Sequence, residues 1–217
     1  MDDTRLFINQ LRHDYSKKTL DEKDVDKDFV SQFDQWFREA VEAKVNEPNA
    51  MVVSTATAEG KPSARILLLR NYSEAGFVFY TNYNSRKGAE IEQNPFAALT
   101  FFWPELERQV RIEGKLVRQS AEESDIYFAT RPRSSRLGAW ASPQSEVLPD
   151  RKALDDVLQE IEKMFENKDV ERPEWWGGYL LQPDRVEFWQ GRPSRLHDRI
   201  CYMKQHDESW HIVRLAP

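Results

Sequence analysis

Cysteine is almost absent from this chain: Cys201 stands alone among 217 residues. One thiol cannot form an intrachain disulfide, and it leaves no cysteine-based metal site. Long apolar runs are missing too. No stretch approaches the roughly 20 apolar residues that a helix needs to span a bilayer, so no membrane partner is expected. The opening Met1-Asp-Asp-Thr-Arg5 lacks the basic-then-apolar pattern of a secretory signal, and a cytoplasmic location is the expectation. Positive charge is not in excess: 31 Lys and Arg stand against 37 Asp and Glu, a net charge of −6. That balance argues against nucleic acid as a partner and confines anion recognition to local clusters. No internal repeat occurs, and no Gly/Ser-rich linker divides the chain. Residues 1–217 are expected to form a single domain with a helical N-terminal segment over 1–47.

What is present is a large apolar and aromatic complement. Apolar residues make up 40% of the chain, with 7 Trp, 7 Tyr and 12 Phe, enough for a substantial core. Residues 3–15 read as a short helix, followed by a charged connection over 16–27. Phe29, Phe33, Trp36, Phe37, Ala40 and Val41 recur at helical spacing, and Pro48 closes that segment. The period then changes to that of strands. Residues 51–55 and 63–70 read as a hairpin around the turn signal Ala58-Glu-Gly-Lys-Pro62. Further strands are expected over 76–81, 96–103 and 108–117. In the last of these, Val110, Ile112 and Leu116 share one face and Gln109, Arg111 and Glu113 the other. Helices are expected over 121–130, 133–140 and 150–167. The chain then closes with strands near 177–182, 184–190, 196–204 and 209–215. Many short strands with helices outside them point to a mainly β fold, an antiparallel barrel with peripheral helices.

Several clusters carry chemistry. Taken as a strand, residues 195–203 put Arg195, His197 and Arg199 on one face near Trp189, with Leu196 and Ile200 on the other. Like charges at that spacing repel unless an anion neutralises them, which suggests a pocket for a phosphorylated aromatic ligand. A solvated basic strand face is the bland alternative. In Asn82-Tyr-Asn-Ser85-Arg86-Lys87-Gly88, Ser85 can cap a helix whose free N–H groups and dipole favour an anion. Arg86 and Lys87 sit at the end where the dipole disfavours cations, so a phosphate and a merely capped helix are equally open. Arg65 and Arg70 bracket Ile66-Leu67-Leu68-Leu69. They either snorkel to solvent or reach a phosphate. Tyr127, Arg131 and Ser135 fall on one helical face, although Pro132 interrupts the helix. Gln144-Ser145 lies in a loop and says nothing by itself.

Together these segments resemble the pyridoxine/pyridoxamine 5'-phosphate oxidase family. The carrying motifs are Phe79-Tyr-Thr-Asn82 with Ser85-Arg-Lys87, Leu106-Glu-Arg-Gln-Val110, Arg131-Pro-Arg133 with Gly138-Ala-Trp140, Phe188-Trp-Gln-Gly191 and Arg195-Leu-His-Asp-Arg199. The likeness runs from about Arg12 to the terminal Arg214-Leu-Ala-Pro217. It implies an FMN-binding split β-barrel, a Greek-key antiparallel barrel, working as a homodimer with FMN at the subunit interface. It further implies FMN held by Arg65, the strand Ile66, Leu67, Leu68, Leu69 and Arg70, then Tyr80, Thr81, Arg86, Lys87, Gln109, Gln144, Ser145, Trp189 and Arg199. The substrate phosphate would fall to Arg70, Tyr127, Arg131 and Ser135. Arg195, Leu196 and His197 would lie by the substrate ring, with Arg195 and His197 as catalytic residues. Arg12, His13, Asp14 and Tyr15 match the segment that closes over the substrate. No metal is implied. Arg70 departs from the family pattern, which usually has Lys there; a planar fork replaces a compact ammonium.

The implied reaction oxidises pyridoxamine 5'-phosphate or pyridoxine 5'-phosphate at C4', with a hydride passing to flavin N5. The amine route ends in hydrolysis to aldehyde and ammonia. O2 reoxidises the flavin and yields hydrogen peroxide.

Overall fold

The computed structural model describes residues 14–217. The N-terminal helix expected over 3–15 therefore falls almost wholly outside the described residues, as do Arg12 and His13. The described residues order into five α-helices and nine strands. Helix α1 spans Phe29–Glu42, α2 Arg86–Gln93, α3 Ala121–Thr130, α4 Arg133–Ala141 and α5 Arg151–Met164. The strands are β1 Ala50–Ala56, β2 Pro62–Leu68, β3 Asn71–Ser73, β4 Gly76–Asn82, β5 Phe96–Trp103, β6 Arg108–Arg118, β7 Trp176–Gln190, β8 Asp198–Lys204 and β9 Trp210–Arg214. Their order in the sheet is β2-β1-β5-β6-β7-β4-β3, with β8 paired to β7 and β9 to β8. The residues cluster into two compact units, and β5, β6 and β7 each contribute to both.

The first unit holds residues up to 48, 100–112 and 185–217. Helix α1 starts because Asp28, in extended backbone, accepts the N–H groups of Val30 and Ser31. Its apolar stripe is buried as the spacing predicts: Phe29, Phe33, Trp36 and Ala40. Val41 is not; it is solvent-exposed. The helix stops at Glu42, well short of Pro48. Phe33 meets Phe101 edge-on at 5.3 Å, and Trp36 meets Phe188 at 5.2 Å. Burying each such ring contributes roughly 1.5–3 kcal/mol. Strands β7, β8 and β9 pair antiparallel, with Trp189 opposite Arg199 and Cys201 opposite Val213.

The second unit holds residues 49–99 and 113–184. Strands β1 and β2 form the expected antiparallel hairpin, Ala50 opposite Leu68 and Ala56 opposite Pro62. Met51, Val53 and Thr55 alternate inward from β1. Strand β4 pairs antiparallel with the first part of β7, Tyr80 opposite Gly178. A small core of Phe128, Leu137, Val170 and Trp176 gathers the helices, with Leu158, Ile161 and Phe165 of the α5 region packed on it.

Two expectations are corrected. Strands 177–182 and 184–190 are one strand, β7, which runs through Pro183. Glycines admit its close approach: a Cβ at Gly76 would lie 1.9 Å from the Leu181 carbonyl oxygen, and one at Gly114 would lie 2.1 Å from that of Gln182. The strand expected from residue 195 starts only at Asp198. Residues 193–195 form a 3-10 turn in which Ser194 and Arg195 take positive φ, 56° and 62°. Arg195, His197 and Arg199 therefore do not share a strand face.

Candidate functional site

The chemistry-bearing residues gather into three groups. The first two lie in the second unit. Ser85 caps α2, its hydroxyl accepting from the Gly88 N–H, and Lys87 follows in the first turn. Gly88 is needed there, since a Cβ would lie 1.9 Å from the Tyr83 carbonyl oxygen. Lys87 is 7% exposed. Its ammonium donates to Thr81 Oγ1 at 3.1 Å, Ser85 Oγ at 3.1 Å and Gln144 Oε1 at 2.6 Å, all neutral oxygens. Burial, and then the charge of Arg65, pull its pKa from 10.5 down to about 8, against the pull of Glu90. Arg65 donates to the Val53 carbonyl oxygen, Thr55 Oγ1 and the Ser63 hydroxyl, and pairs with Glu90 at 3.5 Å. Glu90 also accepts from Thr55 and Ser63 and pairs with Arg86 at 2.9 Å. Burial of Glu90 opposes its ionisation, but these hydrogen bonds win and hold its carboxyl down at about 2. Three cations against one carboxylate leave net positive charge at a helix N-terminus, a setting fit for a phosphate.

The second group surrounds Arg131. Helix α3 ends at Thr130 and Arg131 is its extended C-cap, so Pro132 breaks the continuous helical face that Tyr127, Arg131 and Ser135 would otherwise share. The three still converge. Arg131 and Ser135 line one cleft of about 260 Å³ with Gly138, Gln144 and Trp176. The Arg131 guanidinium lies 4.5 Å from the Trp176 ring centre. Its Nη1 is buried with no hydrogen-bond partner. Burial lowers its pKa, as does the charge of Arg70, which in turn lies 5.9 Å over the Tyr127 ring. Tyr80 stacks on Tyr127 at 3.9 Å and on Trp176 at 5.4 Å. Gln144 reaches both groups, bonding Lys87 and lining the Arg131 cleft. Ser145, beside it, has φ of 78°.

The third group belongs to the first unit. Trp189 and His197 lie 4.6 Å apart, and Tyr15 meets both edge-on at 5.6 and 5.8 Å. His197 Nδ1 accepts the Arg192 N–H at 3.1 Å, so in the neutral ring the proton sits on Nε2. Burial and then the neighbouring Arg195 charge lower its pKa, against Asp198. Arg199 forms a bidentate pair with buried Glu187 at 2.8 and 3.0 Å. Gln109 stands half-buried on β6 in the same unit. Ile66 and Leu67 lie on β2, and Leu69 just beyond its end. Asp14 and Leu196 are exposed.

Several participants escaped the sequence reading: Thr55, Ser63, Glu90, Trp176 and Glu187. Glu90 alone had a signal, its i+4 spacing from Arg86.

The sequence and the fold have known counterparts. A family model described as pyridoxamine 5'-phosphate oxidase matches residues 37–165. One described as the pyridoxine 5'-phosphate oxidase C-terminal dimerisation region matches 176–217. Among solved structures, a pyridoxamine 5'-phosphate oxidase-related, FMN-binding protein from Nostoc punctiforme superposes with TM-score 0.67 at 19% identity, over 84% of this chain and 96% of that one. PhzG from Burkholderia lata, solved with tetrahydrophenazine-1-carboxylic acid, gives TM-score 0.86 at 30% identity, over 93% of this chain and all of that one. The fold is thus that of the FMN-binding split β-barrels. Pyridoxine/pyridoxamine 5'-phosphate oxidase from Rubrobacter xylanophilus is 56% identical over 98% of both chains. That from Haemophilus influenzae is 54% identical over 98% of this chain and 100% of its own. The chain belongs to the pyridoxamine 5'-phosphate oxidase family. Among the described residues, no helix is long and apolar enough to cross a membrane.

Proposed function

We propose that the chain oxidises pyridoxamine 5'-phosphate and pyridoxine 5'-phosphate to pyridoxal 5'-phosphate, as a cytoplasmic homodimer with FMN at the subunit interface. The observation that carries this reading is the presence of two separate cation sets, one for each of two phosphate esters. Lys87, held only by neutral oxygens, fits the phosphate of FMN. Arg131, with its buried and unpartnered Nη1, fits the phosphate of the substrate. FMN held there would supply two-electron oxidation, with O2 as the final acceptor and hydrogen peroxide as the product.

The chain's own residues bind and orient. Arg65, Arg86 and Lys87 neutralise the flavin phosphate, with Thr81 and Gln144 fixing the ammonium. Within the second unit Tyr80, Ser145 and the backbone of 66–69 add to that set; from the first unit Gln109, Trp189 and Arg199 are assigned to FMN by the family resemblance alone. Arg70, Tyr127, Arg131 and Ser135 anchor the substrate phosphate, which sets the register of the far ring. Neutral His197 presents its Nε2–H, and Arg195 a cation, to the substituent that reacts. Water then converts the amine-derived product to aldehyde and ammonia.

The test is turnover of pyridoxamine 5'-phosphate under air by the flavin-loaded protein, following aldehyde and peroxide together. A flavin-loaded protein that turns over neither pyridoxyl phosphate would overturn the proposal. So would one that oxidises a tricyclic carboxylate instead.

A further inference from the structure

Glu107 holds two segments at once. It is 2% exposed and takes left-handed backbone, φ 55° and ψ 42°. One oxygen of its carboxylate, Oε2, accepts both the Ser16 N–H at 2.8 Å and the Lys17 N–H at 3.0 Å. Its main-chain oxygen accepts the Gly191 N–H at 2.7 Å and Gln190 Nε2 at 3.2 Å. The first pair fixes the residues directly after Tyr15. The second fixes the point where β7 turns into the loop carrying Arg195 and His197. Tyr15 then lies against Gly191, where a Cβ would come within 2.6 Å of its ring. Bare backbone is what lets the ring seat on Trp189 and His197.

We propose that Glu107 is a positioning residue: a clasp that docks the Tyr15 segment on the Trp189–His197 pair and holds the Arg195–His197 loop in register with it. Two N–H groups converging on a single oxygen need an acceptor at one distance. They do not need a charge. The side chain must therefore have the reach of glutamate, and an amide carbonyl can replace the carboxylate oxygen. Downstream, the Leu20 N–H donates to Asp198 at 3.0 Å, so the segment is pinned a second time beside His197. Release at Glu107 thus frees the Tyr15 end and leaves the Leu20 end anchored.

Two variants separate a clasp from a merely buried charge. Glu107→Asp keeps the charge and the tolerance of left-handed backbone but loses one methylene of reach. Glu107→Gln keeps the reach and loses the charge. The flavin-loaded protein is digested briefly with trypsin, and cleavage after Lys17 and Lys18 is followed by mass. Cleavage in Glu107→Asp should be at least tenfold faster than in wild type, and Glu107→Gln should stay within about twofold. The catalytic arm rests on the oxidase reading: KM for pyridoxamine 5'-phosphate should rise severalfold in Glu107→Asp and be rescued in Glu107→Gln, with flavin content unchanged. The cleavage arm needs no turnover, so it decides on the clasp even if the oxidase assay fails. Wild-type cleavage in Glu107→Asp, or release in Glu107→Gln, overturns the proposal.

Discussion

Lys87→Met should stabilise the flavin-free protein and weaken its hold on FMN. The lysine follows a serine cap at a helix start, where the dipole opposes positive charge. It is nearly buried, and its ammonium meets only Thr81, Ser85 and Gln144. Depression of its pKa from 10.5 to about 8 corresponds to about 3 kcal/mol of unfavourable free energy at neutral pH. Methionine removes that cost and fills similar volume, but forfeits hydrogen bonds worth about 0.5–1.5 kcal/mol each. With the three bonds at about 0.5 kcal/mol each, the low end of that range, a net gain of about 1.5 kcal/mol remains, readable in urea denaturation of flavin-free protein. The pH dependence fixes the sign. Between about pH 8 and 10.5 the unfolded chain keeps a proton that the folded chain has lost, so wild-type stability rises across that window and is lost as pH falls through 8. The advantage of Lys87→Met should therefore shrink between pH 7.5 and 10. A bound phosphate favours the charged lysine, so wild-type FMN affinity should fall above pH 8, by up to about tenfold per pH unit. A flavin-free variant less stable than wild type at pH 7.5 would refute the reasoning, as would FMN affinity that is flat from pH 7 to 9.5.

Arg131→Ala should raise KM for pyridoxamine 5'-phosphate by about ten- to a hundredfold, the range for a charged hydrogen bond, and leave flavin absorbance per protein unchanged. Arg195→Ala should keep its flavin but lose kcat as well, because an interaction that strengthens in the transition state shows there; steady-state kinetics of the two variants side by side checks the contrast. Protonating His197 costs its bond from the Arg192 N–H, and its folded pKa lies below the ordinary value. That contribution to stability is present above pH 6.5 and is lost as pH falls through the folded value; denaturation from pH 7 to 5 should show a steeper loss in wild type than in His197→Gln.

The fold was legible where one periodicity dominates. Helix α1 shows its apolar stripe in sequence, and β6 shows its alternation through Val110, Ile112 and Leu116. Reading failed where backbone conformation is not written in hydropathy. Residues 195–203 alternate well enough to pass as a strand, yet Pro193 opens a turn that Ser194 and Arg195 complete at positive φ. Pro183 looks like a break between two strands. It is carried inside β7 because Gly76 and Gly114, more than sixty residues away in sequence, remove the side chains that would collide. Such long-range clearances have no local signature.

The site was legible as a set of residue types but not as a division of labour among them. Arg65, Arg131 and Arg199 look alike in sequence. In the structure Arg65 is held by Val53, Thr55, Ser63 and Glu90, and Arg199 is clamped by Glu187 and the Ala216 carbonyl. Each has an acid partner, which Arg65 shares with Arg86, so the charge each adds toward a ligand is offset in part. Arg131 has no acid; it lies on aromatic rings and leaves a buried nitrogen unsatisfied. Lys87 likewise has only neutral acceptors. Burying such groups costs free energy that nothing inside their unit returns. The cations that await an anion are therefore those the fold leaves uncompensated. Glu90 and Glu187, whose positions decide this, become informative only once β2 and α2, or β7 and β8, are brought together.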